Sequence, residues 1–130
     1  MKTKRKNNGS VFLITIFVIA FLSAFVMGIA QMNTEEIQLM RNQTYAADAL
    51  AIAEAGLNDA FSEIRADSSW TSGYNHKNFN GGWYRVDVDD STITSTGTSS
   101  QNFVARVEAD ISVGNSSPYS IRINNYRINE

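Results

Sequence analysis

A chain of 130 residues has room for one domain with appendages, and with no cysteine it can form no disulfide, thiolate metal site or thiol nucleophile. Charge is unevenly placed: Lys2, Lys4, Arg5 and Lys6 crowd the start, no Asp or Glu precedes Glu35, and beyond those four lysines and arginines 7 basic residues face 13 acidic ones, a net of −6. So acidic a body excludes a general nucleic-acid-binding role, which needs a basic face to displace counterions.

From Val11 to Ala30 there is no charged residue, and Phe, Val, Ile, Leu and Ala dominate. Twenty helical residues rise about 30 Å, enough to cross the hydrocarbon layer of a bilayer. Thr15, Ser23 and Gly28 are tolerated in such a span, because a hydroxyl bonds a carbonyl one turn back. The rest of the chain is too small to wrap a helix that is apolar on every face, which excludes a buried core helix. Basic residues before the span and acidic ones after it predict a cytoplasmic N-terminus and a C-terminal body outside. A secretory signal peptide is the rival, with Gly28-Ile29-Ala30 as a cleavage site before Gln31. Its apolar region would exceed the roughly 7–15 residues usual there, and it would run straight into more helix.

Residues 31 to 65 contain no proline and one glycine, Gly56, and are rich in good helix formers. Leu50, Ala53, Leu57, Ala60 or Phe61, and Ile64 recur at steps of three and four, with Asp48, Glu54, Asp59 and Glu63 off the stripe. The simplest reading is one helix from about Val11 to about Arg65, roughly 80 Å long, apolar all round in its first half (10–30) and amphipathic in its second (31–65). Ala46, Ala47, Ala49, Ala51, Ala53 and Ala55 keep this stem slim. They either admit other backbones closely or are helix-friendly filler.

After Arg65 the composition turns to Ser, Thr, Asn, Gly and aromatics. Residues 66 to 82, with Gly73, Gly81 and Gly82, read as a connecting loop. Period-two patterns follow: Tyr84, Val86 and Val88, then Phe103, Ala105, Val107, Ala109, Ile111 and Val113, the clearest strand. A weaker strand lies around Thr92 to Thr96, and Ile121 and Ile123 open a last one after the Asn115-Ser116-Ser117-Pro118 turn. The predicted fold is α+β: a long helix against an antiparallel meander of about four strands over 83–130. So small a sheet needs burial from elsewhere. Leu50, Leu57, Phe61 and Ile64 are the predicted packing residues, and neighbouring subunits the second source.

Catalytic, cofactor and metal sites are not predicted. His76 is the only histidine and has no ligand at metal spacing, so it reads as a surface loop residue. Asp87-x-Asp89-x-Ser91 is like the start of a calcium loop, but Thr92 stands where glycine is needed and Thr98 where a bidentate Glu belongs. Gly81-Gly82 lacks the glycine, lysine and helix of a phosphate loop. The hydroxyls of residues 91 to 100 have no base nearby in sequence. Asn42-Gln43-Thr44 and Asn115-Ser116-Ser117 are chance-frequency glycosylation triplets. Trp70, Tyr74, Phe79, Trp83 and Tyr84 either form an adhesive or subunit-contact patch, or plug the gap between helix and sheet, with Trp70 and Trp83 as the plugs.

A short basic leader ending in Gly9, an apolar span from Val11, its continuation as a stem and a C-terminal sheet together resemble a type IV pilin-like protein. The stretch Ala47-Asp48-Ala49-Leu50-Ala51-Ile52-Ala53-Glu54-Ala55-Gly56-Leu57-Asn58 is similar to the A-x-x-x-A-E-A-G/A-L segment of the PilX-type minor pilins. The resemblance covers residues 1 to 65 and is architectural beyond. It implies cleavage between Gly9 and Ser10 by the prepilin peptidase, N-methylation of Ser10, and anchorage in the lipid bilayer of the inner membrane before an inner-membrane assembly platform joins it, through the N-terminal helix, to other pilin-like subunits. It implies a minor pilin or pseudopilin of a type IV pilus or type II secretion apparatus, not an enzyme. Two positions depart from the pattern: Ser10 replaces the usual first mature Phe, and Ile14 stands at mature position five, where major subunits carry Glu. In the family that Glu is thought to pair with the amine of the subunit ahead, so its absence suits a tip or assembly-initiating subunit. A secreted or membrane-tethered binding module with an ordinary signal or anchor is the alternative from another class.

Overall fold

The computed structural model describes residues 8–129, so the basic cluster Lys2, Lys4, Arg5 and Lys6 lies outside the described residues. One helix, α1 (Asn8–Ala66), precedes five strands: β1 (Tyr74–Phe79), β2 (Gly82–Asp89), β3 (Thr92–Thr98), β4 (Val104–Val113) and β5 (Ile121–Asn129). The strands form one antiparallel sheet in the order β1-β2-β3-β4-β5, each paired with its neighbour in sequence. The fold is α+β, as predicted. Two compact units divide at Met40 and Arg41. The described residues of the first are helix alone; the second holds the rest of α1 and the sheet.

Within the second unit, α1 and one face of the sheet enclose the core. From the helix come Ala49, Ile52, Ala53, Leu57, Ala60, Phe61 and Ile64, and from the sheet Tyr84, Val86, Ile93, Ala105, Val107, Ala109 and Ile111, all buried. Side chains as deeply buried as Ile52, Ile93, Val86 and Val107 each stabilise by about 1.5–3 kcal/mol. Leu57, Phe61 and Ile64 lie where the stripe predicts, whereas Leu50 is on its flank and only partly buried. The centre of the stripe is Ala49, Ile52, Ala53, Gly56 and Ala60, all small apart from Ile52. A Cβ at Gly97 of β3 would collide with the backbone nitrogen of Ala53, and one at Gly56 with Ser95 Oγ. Helix and sheet backbones touch along this line, so Ala49 and Ala53 are small in order to meet the chain's own β3. Ala47 and Ala51 face solvent. Ser95 Oγ is buried in this contact without a hydrogen-bond partner.

The sheet's other face is polar, the arrangement expected of an antiparallel sheet solvated on one side. Arg85 reaches Asp87 at 2.9 Å, Arg127 reaches Glu108 at 2.5 Å and Asp110 at 3.3 Å, and Thr92 donates to Asp110 at 2.9 Å.

The predicted loop at 66–82 is corrected: it contains β1. Tyr-Asn-His-Lys-Asn-Phe has no apolar alternation, because β1 is an edge strand held mainly by its backbone pairing with β2. The two-residue turn between them is Asn80-Gly81, both at positive φ (48° and 79°). Such a pair favours a type I′ hairpin. β5 also extends beyond Ile123, to Asn129. A register shift against Asp110/Ile111 lets Ile121 and Ile123, then Tyr126 and Ile128, share one face although their spacing breaks period two.

Candidate functional site

In the first unit every side chain from Val11 to Ala30 is exposed; Phe17 is 74% exposed and Leu13 69%. The hydroxyls in and just beyond this stretch are satisfied within the helix. Thr15 donates to the Val11 carbonyl at 2.9 Å, Ser23 to that of Ile19 at 2.8 Å, and Thr34 to that of Ala30 at 3.0 Å. With backbone and hydroxyls both paired internally, no polar group here requires water. The segment is long and apolar enough to cross a membrane. Gly9 and Ser10 lie in the first turn of α1 and are exposed, with nothing near Gly9, and Ile14 is 60% exposed.

In the second unit polar chemistry gathers where α1 meets β1 and β2. Asp59 accepts hydrogen bonds from Lys77 Nζ and from Tyr84 Oη, the latter at 2.5 Å. Tyr74 Oη donates to Glu63 at 2.9 Å, and Lys77 Nζ sits 4.6 Å from the centre of the Tyr74 ring. The Lys77 and Tyr84 hydrogen bonds hold the Asp59 carboxyl below its ordinary value. Burial, with the bond to Asp59, pushes the Tyr84 phenol up to about 12. The bond to Asp59 raises Lys77. This is a clasp fastening helix to sheet. It supplies a carboxylate, an ammonium and a neutral phenol, each already engaged with another.

The lone histidine, His76, is exposed on β1, with Nε2 3.2 Å from Asn78 Oδ1 and its ring stacked on Trp83 at 4.4 Å. Trp83 precedes the buried Tyr84 in its strand and so points to the opposite face, which corrects its predicted role as a plug. Trp70 does pack on the core, 5.4 Å from Tyr74. Tyr84 is 2% exposed and does not belong to a surface patch, whereas Phe79 is 45% exposed. Asp87 and Asp89 are strand residues leading into the Asp90-Ser91 turn, and Asp87 is engaged by Arg85. Among the described residues no group of three or more His, Asp or Glu is placed to hold a metal ion. Sequence reading missed Lys77 and Tyr126 as partners of the stem acids. Tyr126 donates to Glu54 at 3.1 Å, from the part of β5 beyond the bulge.

The chain matches no protein-family model, no curated protein and no solved structure.

Proposed function

We propose that this protein is a membrane-anchored, pilin-like structural subunit: a minor pilin or pseudopilin that starts or caps a fibre of a type IV pilus or type II secretion apparatus. The observation that carries this reading is the exposed apolar stretch Val11–Ala30, which belongs to the same unbroken helix, α1, whose later turns form the core with the sheet. A signal peptide is discarded and has no reason to be continuous with a core helix. A retained span in one piece with the stem can anchor the subunit in the inner membrane, N-terminus in the cytoplasm, and later bundle with the helices of other subunits. The prepilin peptidase would release Gly9 and expose Ser10 for methylation. Ile14, where a carboxylate would otherwise seek the amine of a subunit ahead, suits a subunit with nothing ahead of it. On this reading the clasp at Asp59 is structural, not catalytic.

Intact-mass analysis of the exported protein tests the proposal. A chain beginning at Ser10 with one added methyl is the expected result. A start at Gln31 means secretion by an ordinary signal, and retention of Met1 means a simple anchor; either removes the pilin reading.

A further inference from the structure

The turn that joins β1 to β2 holds two groups that can react with each other. Asn80 and Gly81 are both exposed and both at positive φ. Among the described residues neither the Asn80 carboxamide nor the Gly81 N–H has a hydrogen-bond partner. Gly81 carries no side chain, and no atom lies within 4 Å of where one would begin, so the approach to its nitrogen is open. Of the asparagines in the second unit only Asn80 precedes a glycine. Asn58 precedes a residue whose N–H is held within α1, and the nitrogen of Phe103, after Asn102, donates to Ser99 Oγ at 3.2 Å. The other Asn-Gly pair, Asn8-Gly9, opens α1 and belongs to a separate peptide.

We propose that Asn80 is a site of spontaneous modification, where the chain forms isoaspartate and thereby releases β1. The Gly81 nitrogen, having given its proton to hydroxide, attacks Cγ of Asn80. The new C–N bond closes a succinimide ring, and the side-chain nitrogen leaves as ammonia. Water then opens the ring at either carbonyl. Opening at the main-chain carbonyl leaves the chain running through the side chain, as isoaspartate; opening at the other leaves aspartate. Nothing is oxidised or reduced: one water enters and one ammonia leaves. Ring closure needs the Gly81 nitrogen to swing towards Cγ about the Cα–C bond of Asn80. The place of the turn allows this, because β1 is an edge strand paired on one side only. Isoaspartate adds one atom to the main chain, and a two-residue turn has no slack to absorb it. The pairs that close the hairpin, Phe79 with Gly82 and Asn78 with Trp83, are lost first. Lys77 is next in line and draws away from Asp59. β3 is held on both edges and keeps its place.

Ageing the purified, detergent-solubilised full chain at mildly alkaline pH tests this. Peptide mapping that separates aspartate from isoaspartate should find both at position 80 before any other asparagine of the second unit has changed. Hydrogen exchange in the converted fraction should be about fivefold faster across β1 and unchanged in β3. Asn80→Gly keeps a residue suited to positive φ and removes the carboxamide, so its β1 should not change with age. Conversion at Asn115 or any other position of the second unit ahead of Asn80 overturns the proposal. So does β1 exchange that is unaltered in the converted chain, or a β1 that loosens as fast in Asn80→Gly.

Discussion

At Asp59 one carboxylate joins three elements, since Lys77 comes from β1 and Tyr84 from β2 while Asp59 belongs to α1. Its value exceeds that of the Lys77 ion pair, whose side chains are 47% and 35% exposed and whose contribution is therefore about 0.2–1 kcal/mol. Tyr84 is the buried partner, and its hydroxyl is satisfied only while it keeps its proton. Because the folded phenol titrates at about 12 against an ordinary 10.0, the stability it confers is complete below pH 10 and is lost as pH rises through 12. Asp59 gives the opposite limb: its folded value lies below 3.8, so its contribution holds above that and fades as pH falls through the folded value. Denaturant unfolding of the detergent-solubilised chain from pH 9 to 12 should show the alkaline loss. In Tyr84→Phe that limb should flatten, with a cost of about 1 kcal/mol at neutral pH for the lost hydrogen bond. An alkaline limb as steep in Tyr84→Phe as in the native chain would assign the loss to other groups.

Among the elements, β1 depends on its turn. Gly81 has φ of 79°, and a side chain there costs about 1 kcal/mol or somewhat more. Hydrogen exchange in Gly81→Ala should be about fivefold faster across β1 and unchanged in β3, which is held on both edges. Equal acceleration in both strands would mean that β1 opens only with the whole sheet. The signal for this hairpin was present in the sequence as Asn80-Gly81, but Tyr-Asn-His-Lys-Asn-Phe carries no apolar period, and apolar periodicity is what reveals a strand. The same limit hid the later part of β5, where the bulge shifts Tyr126 and Ile128 out of phase with Ile121 and Ile123. β4 was legible because Ala105, Val107, Ala109 and Ile111 alternate through the centre of the sheet. The helix stripe was legible at Leu57, Phe61 and Ile64. Its displacement from Leu50 towards Ala49 and Gly56 was not, because close approach favours small residues that hydropathy does not mark. The Asp59 clasp and the Glu54–Tyr126 bond join side chains far apart in the chain, and no local pattern announces them.

For the whole molecule the deciding position is Ile14. It lies near the basic end of the apolar stretch, where an acidic side chain costs less than the roughly 2.5–3.5 kcal/mol it would cost at the bilayer centre. Ile14→Glu should therefore still insert. On the proposed reading, native Ile14 keeps the subunit from docking beneath another, because it offers nothing to a neighbour's terminal amine. A glutamate supplies that partner, and the ion pair formed in a low-dielectric bundle offsets the cost of burying either charge alone. An epitope label on the native protein should mark one end of each fibre. In Ile14→Glu the same label should spread along the shaft, at equal expression and with processing at Ser10 verified by mass. Native label scattered along the fibre would count against a tip position. Label that remains at one end in both proteins would mean that the sheet domain, and not residue 14, excludes this subunit from the shaft.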